Sequence, residues 1–309
     1  MIDTGPIPTA ITNKDNVSVL EHLKTLSSDH FKGRKFSSQG SIETQDFLVS
    51  TLKALSIPAF NNQYRHNFTQ SGLFKSKHGT NIIGYIQGSH QKDEYLVLTA
   101  HYDHLGTIRN KVYNGADDNA SGTAALLLYA KLLREKPLKH SVILLFTDGE
   151  EINLLGAKAF IYQQKKLLSD IKLNINLDMI AGSKKTKKLR FLSKDLPQIL
   201  SAQQLDEFYQ LQEHFKKNSS AQLTAGFKRV KSVGSNVNRS NWLMASDHGV
   251  FSRAGIPFIY FGVGTHKNYH SEFDDYDNIN KNFYLAAINI IFQQLTYLDN
   301  AIFEGTIPD

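Results

Sequence analysis

The stretch Tyr95-Leu96-Val97-Leu98-Thr99-Ala100-His101-Tyr102-Asp103-His104 carries the fold assignment. An apolar, strand-favouring run passes without a break into two histidines and an acid. A short apolar run bounded by polar residues is the pattern of a strand buried on both faces. The change of character after Ala100 puts His101, Asp103 and His104 at the carboxyl end of that strand.

Working outward, apolar strands alternate with helical periods. Upstream, Val17 to Leu26 carries Leu20, Leu23 and Leu26 at helical spacing. A second helix follows Gly40, with Ile42, Phe47, Leu48, Leu52 and Leu55 on one face and Ser41 as a cap. Asn81 to Ile86 reads as a strand, joined to Tyr95–Ala100 through the turn-like Gly88-Ser89-His90-Gln91. Downstream, helices are expected over Ser121 to Arg134, Leu154 to Leu168, Gln203 to Lys216 and Asn282 to Leu298. Strands are expected over Ser141 to Thr147, Leu173 to Asp178 and Pro257 to Gly262. Such alternation implies an α/β fold, a mostly parallel central sheet with helices on both faces. Nothing rich in Pro, Gly or Ser splits residues 1–309, so one domain is expected. Residues 1–16 read as a loose lead-in, and 183–244 as a loop-rich segment near the rim of the site.

Composition removes several classes of function. With no cysteine, disulfides, thiolate zinc sites, iron–sulfur clusters and cysteine nucleophiles are excluded. Any metal must be held by the nitrogen and oxygen of 12 histidines and 29 acids. The net charge of +6 raises the question of nucleic acid. However, the densest basic run, Lys184, Lys185, Lys187, Lys188 and Arg190, has no aromatic stripe beside it and reads as a solvated loop. The apolar run Ala124 to Ala130 falls far short of the roughly 20 residues of a membrane span. Met1 to Pro6 shows neither a basic nor an apolar signal region, although a processed protein behind an added methionine would look the same.

Acids and histidines gather at five places. His101-Tyr102-Asp103-His104, Glu150-Glu151, Asp178 and His270 each follow a strand, and Asp117-Asp118 precedes a helix in Gly115-Ala116-Asp117-Asp118-Asn119-Ala120-Ser121-Gly122. Taken singly, each has an ordinary explanation as a surface histidine, a turn residue or a helix cap. Four of them lie at the carboxyl ends of parallel strands, the edge at which open α/β sheets bind ligands, and the Asp117 loop can reach that edge. Histidines and carboxylates without thiolate suit a hydrolytic zinc centre. Paired metals about 3.5–4 Å apart need a bridging carboxylate. Of two adjacent acids such as Glu150 and Glu151, one can ligate while the other takes a proton. Asp103 is placed to orient His101.

These motifs resemble the co-catalytic di-zinc aminopeptidases of the bacterial leucyl aminopeptidase type, the clan MH zinc exopeptidases. The matching stretches are Ala100 to Gly106, Asn114 to Gly122, Thr147 to Glu151, Asn176 to Ile180, Ser246-Asp247-His248, and Tyr269-His270 with Asp274 beyond, in the family's order. Ser28-Asp29-His30-Phe31-Lys32-Gly33-Arg34 is a looser match to the family's amino-terminal segment.

The resemblance implies a phosphorylase/hydrolase-like architecture. It implies one zinc on His101 and Asp178, a second on Glu151 and His270, and Asp117 bridging them. Glu150 would be the general base, Asp103 the group orienting His101, and His248 a donor to the oxyanion. His104 and His266 would be structural or supporting. Substrates would be peptides with a free amino terminus, and the family's tendency to export implies a secreted or periplasmic location, with the cytoplasm still open. Rival readings on the same fold are a single-zinc glutaminyl-cyclase-like acyltransferase and a metallocarboxypeptidase. The latter needs an arginine for the substrate carboxylate, for which Arg239 and Arg253 exist. A metal-free binding module is the non-enzyme rival. Phe227 and Trp242 are candidate pocket residues for which core packing is the simpler expectation.

Overall fold

The computed structural model describes residues 11–72, 76–227 and 241–305. An eight-stranded sheet runs through its centre in the order β1-β2-β6-β3-β7-β10-β8-β9. Here β1 is Arg65–Gln70, β2 Lys77–Ile86, β3 Gln91–His101, β6 His140–Thr147, β7 Ile171–Leu177, β8 Lys188–Lys194, β9 Gln222–Ala225 and β10 Phe258–Gly262. The four central strands, β6, β3, β7 and β10, are mutually parallel. Antiparallel pairings add β2 to β6, β1 to β2 and β8 to β10, while β9 joins β8 in parallel. The turn at Gly88–Gln91 does not pair the strands it joins, because β6 lies between β2 and β3. A separate hairpin, β4 (Gly106–Ile108) with β5 (Lys111–Tyr113), follows the His101–His104 stretch.

Side chains alternate between the two faces because successive strand residues point opposite ways. On one face Leu96, Leu98, Val142, Leu144, Phe146, Leu173 and Ile175 pack in the larger core. It is covered by α1 (Asn13–Leu26), α2 (Gln39–Ala54), α3 (Gly122–Glu135), α5 (Ala202–Asn218) and α7 (Lys281–Glu304). On the other face Val97, Ile143 and Leu145 meet Ala157 and Phe160 of α4 (Leu155–Gln163) and Val250 and Phe251 of α6 (His248–Arg253). The expected α/β architecture with helices on both faces is therefore present. Among the described residues no helix is long and apolar enough to cross a membrane.

Three local expectations are corrected. Helix α1 begins at Asn13, inside the stretch read as a loose lead-in. Thr12 caps it, its side chain accepting from the Asp15 amide while Asp15 accepts from the Thr12 amide. The polar residues that suggested looseness are a capping box. Within 183–244, β8, α5 and β9 are regular. The basic run hid β8: Leu189 and Phe191 point inward while Lys188 and Arg190 alternate outward, and Arg190 donates to the Gly226 carbonyl. The helix expected from Leu154 to Leu168 ends at Gln163.

Candidate metal centre

The carboxyl ends of β3, β6, β7 and β10 meet at one edge. His101, the last residue of β3, pairs in register with Thr147, the last of β6. Its ring is buried. The His101 Nε2 lies 3.3 Å from Asp178 Oδ1 and 3.4 Å from Asp118 Oδ1. Burial opposes the charge on this imidazole, but Glu150 and Asp178 overcome it and hold the pKa well above the ordinary value. Asp178 follows β7 and is held by its amide donating to the Phe261 carbonyl. Burial raises its carboxyl, against the opposing pull of His101.

Glu150 and Glu151 sit on a single 3-10 turn after β6, entered through Gly149 with φ of 71°. Asp103 braces that turn: its carboxylate accepts from the amides of Glu150 (3.0 Å) and Glu151 (3.4 Å). The same carboxylate is 3.7 Å from His101 Nδ1, whereas the Asp103 carbonyl is at 3.2 Å. Asp103 thus orients His101 chiefly through its backbone and the two glutamates through its side chain. Burial pushes the Glu150 carboxyl well up, countered by His101 and reinforced by Asp178, Glu151 and Asp247.

The turn before α3 divides its two acids. The Asp117 carboxylate accepts from the amides of Ala181 and Gly182, both at 2.7 Å, and its other oxygen lies 2.8 Å from His266 Nε2. It secures the loop after β7 and faces away from the cluster. Asp118 turns into the cluster instead. Its Oδ1 faces His101, and its Oδ2 is 3.1 Å from His270 Nε2. Three histidines, His104, His101 and His270, pull its carboxyl well below the usual range despite burial. Asp274 fixes the turn by accepting from the amides of both Asp117 (2.9 Å) and Asp118 (3.0 Å). Asp117, expected as the bridge, is thus taken up by the loop after β7 and His266, and its neighbour Asp118 is the one that faces the cluster. Neighbouring residues of a tight turn point in different directions, and spacing alone does not say which points inward.

His270 arrives on the loop after β10, and its Nε2 is also 3.2 Å from Glu151 Oε2. Burial lowers its pKa, but Asp118 and Glu151 raise it to about 10. Tyr269 stacks on this ring at 3.8 Å, and burial, together with the charges of Asp118, Glu151, Asp178 and Glu150, raises its phenol. His104, expected to be structural or supporting, is buried with Nδ1 2.8 Å from Glu151 Oε1.

His248, expected as a donor to the oxyanion, has its Nε2 engaged elsewhere. It is buried, with Nε2 2.8 Å from the Trp242 carbonyl, and stacks on Tyr260 at 4.4 Å. Burial drops its pKa to about 4, so the ring is neutral and its Nε2–H serves the Trp242 carbonyl. The stack continues through Phe227, 4.9 Å from Tyr260 and 4.6 Å from Trp242. Arg253 ends α6, and Arg239 lies outside the described residues.

Two donor sets have all their ligand atoms within 4.8 Å of one another: His101, Glu150 and Asp178, and His104, Asp118 and Glu151. Buried imidazole and carboxylate without sulfur can hold a divalent ion such as zinc. Sequence reasoning named Asp117 as the ligand, whereas Asp118 is the one that joins a donor set. It also left Asp247 without a role, although Asp247 is buried, accepts from the Thr147 hydroxyl and works against the charge on Glu150. Its position inside Ser246-Asp247-His248 was the available signal.

Comparison with known proteins adds independent observations. A glutamate carboxypeptidase 2 homolog of Caenorhabditis elegans is 28% identical over 251 residues, 73% of this chain and 29% of that protein. The chain spans less than half the length of the curated relatives it matches. In fold it is similar to BSAP, a zinc aminopeptidase from Bacillus subtilis, with TM-score 0.68 and 16% identity over 94% of this chain and 95% of that one. It is equally similar to Fimbriiglobus ruber glutaminyl cyclase, with TM-score 0.69 and 17% identity over 95% and 99%. The family model for peptidase family M28 matches residues 81–294, a span that holds every acid and histidine of the cluster. The chain belongs to peptidase family M28.

Proposed function

We propose that this chain is a zinc-dependent aminopeptidase that hydrolyses the first peptide bond of peptides with a free amino terminus, using two zinc ions that share Asp118. The observation that carries the reading is that the two oxygens of Asp118 face two different histidines, His101 at 3.4 Å and His270 at 3.1 Å. His101 and Asp178 would complete one site, and Glu151 and His270 the other. Bound zinc supplies Lewis acidity and makes water a nucleophile near neutral pH.

Glu150 then acts as proton carrier, taking a proton from the attacking water and returning it to the leaving amine. Asp103, through the Glu150 amide, keeps that carboxylate in place. With His248 turned to the Trp242 carbonyl, the neutral Tyr269 hydroxyl beside the cluster is the better donor to the developing oxyanion. With Asp118, Glu151 and Asp178 neutralised by the two zinc ions, the acids left beside them are Glu150 and Asp247, which would suit a substrate amine better than a substrate carboxylate. This supports aminopeptidase over carboxypeptidase action. Export from the cytoplasm belongs to the same reading and is checked by cell fractionation.

The test is Glu150→Gln, assayed with aminoacyl-p-nitroanilides. Two zinc ions per chain with turnover lost, together with wild-type loss of activity in chelator and recovery on added zinc, is the expected result. Retained turnover in the variant sinks the role of Glu150. One zinc per chain with pyroglutamate formation transfers the reading to a cyclase.

A further inference from the structure

Arg34 is fully buried, although it is a permanent cation. Its hydrogen bonds go to neutral carbonyls: Nε donates to Tyr102 at 2.7 Å, Nη1 to Leu26 and Asn114 at 2.6 Å each, and Nη2 to Gly115 at 2.9 Å. Tyr102 stands between His101 and Asp103. Asn114 and Gly115 lead into the turn of Asp117 and Asp118. Leu26 ends α1, which is packed in the core. One planar group therefore ties both loops of the candidate centre to the frame of the fold.

The backbone around Arg34 is fitted to the same place. Its own carbonyl accepts from the His104 amide. Gly33, with φ of 66°, passes so close that a Cβ would stand 2.3 Å from the Tyr113 carbonyl and 2.7 Å from that of Gly106. The charge is set at longer range against Asp274, Asp118, Asp103 and Glu151. A buried charge without a bonded carboxylate is costly, and apolar replacement of buried charges is often tolerated when only packing is at stake. Arg34 has instead a fork of donors in fixed directions, which no other side chain reproduces.

We propose that Arg34 is a positioning residue of the metal centre. It holds the His101–His104 loop and the Asp117–Asp118 turn at the separation at which Asp118 meets both His101 and His270, and the fork as well as the charge is required. The proposal rests on the reading of the cluster as a metal site. Arg34 touches none of the cluster side chains through a hydrogen bond, so its effect is exerted through the loops.

The experiment compares Arg34→Lys, which keeps the charge and loses the fork, with Arg34→Met, which loses both. Circular dichroism and thermal unfolding of the metal-free proteins report the fold, competition with a chromophoric chelator gives zinc affinity, and visible absorption of the cobalt-substituted proteins reports ligand geometry. Both variants are expected to fold and to bind zinc about 10- to 100-fold more weakly than wild type, the range for partners that orient ligands, with an altered cobalt spectrum. Wild-type zinc affinity and spectrum in the folded variants would overturn the proposal. So would failure of both variants to fold without metal, since Arg34 would then serve the fold as a whole. Wild-type protein that binds no zinc defeats the metal reading itself, an outcome distinct from either.

Discussion

Replacing Asp118 by asparagine, with Asp117→Asn beside it, separates the two neighbouring acids most sharply. Asp118 is buried, and its carboxylate lies between His101 and His270. Asparagine keeps the shape and removes the charge, so the loss is that of charge-assisted pairing, about 1.5–3 kcal/mol. The larger penalty for stranding a buried ion, about 3–5 kcal/mol, is not expected, because both partners are imidazoles that can release their protons. At about 2–4 °C per kcal/mol for a large domain, the metal-free protein should melt about 3–12 °C lower. Asp117→Asn loses a carboxylate that accepts from the Ala181 and Gly182 amides and pairs with His266, and should destabilise by a similar amount.

Calorimetry is therefore not the decisive assay, and metal content is. Purified with zinc and passed through a desalting column, Asp117→Asn should keep two ions per chain. Asp118→Asn should keep one or none, with kcat/KM down by at least about 100-fold, since loss of a shared ligand should exceed the effect of an orienting partner. The opposite pattern, two ions in Asp118→Asn and loss in Asp117→Asn, would refute the reasoning and restore Asp117 as the bridge.

Two other predictions concern the walls of the site. Tyr269→Phe removes the hydroxyl of the ring stacked on His270 and should lower kcat about 100-fold, with KM and zinc content little changed; an unchanged kcat in steady-state assays would remove Tyr269 from the chemistry. His248 has its pKa lowered from 6.5 to about 4 by burial, so the unfolded chain binds the extra proton between those values. The stability tied to its neutral form is present above pH 6.5 and is lost as pH falls towards 4, by about 3 kcal/mol in all. Urea unfolding of wild type and His248→Phe should show their difference shifting in favour of the variant by about that amount between pH 7 and 4, and a difference constant with pH would contradict it.

The main lines of the fold were legible because burial writes itself into the sequence. The runs at Tyr95–Ala100 and Ser141–Thr147 are apolar because both faces of those strands are covered, and Leu173–Leu177 was legible by its alternation of Leu173, Ile175 and Leu177 with Asn174 and Asn176. The less buried pieces were not legible. Strand β8 hides two inward residues among lysines and an arginine, and β1 alternates too weakly to stand out. Helix α1 was read short because its cap is built from the same polar residues that make a loose terminus.

By itself the sequence determined the donor chemistry, nitrogen and oxygen without sulfur, and the strand ends from which His101, Glu150, Glu151 and Asp178 project. Parallel strands have a fixed direction, so residues at their carboxyl ends converge wherever the chain crosses over. Only the tertiary structure decided which of two adjacent aspartates faces the cluster, that His248 is neutral and turned to the Trp242 carbonyl, and that Arg34 joins both loops from beneath. Those outcomes depend on the direction in which a side chain leaves its turn and, for Arg34, on partners about 70 to 80 residues away in sequence. Periodicity carries no information about either.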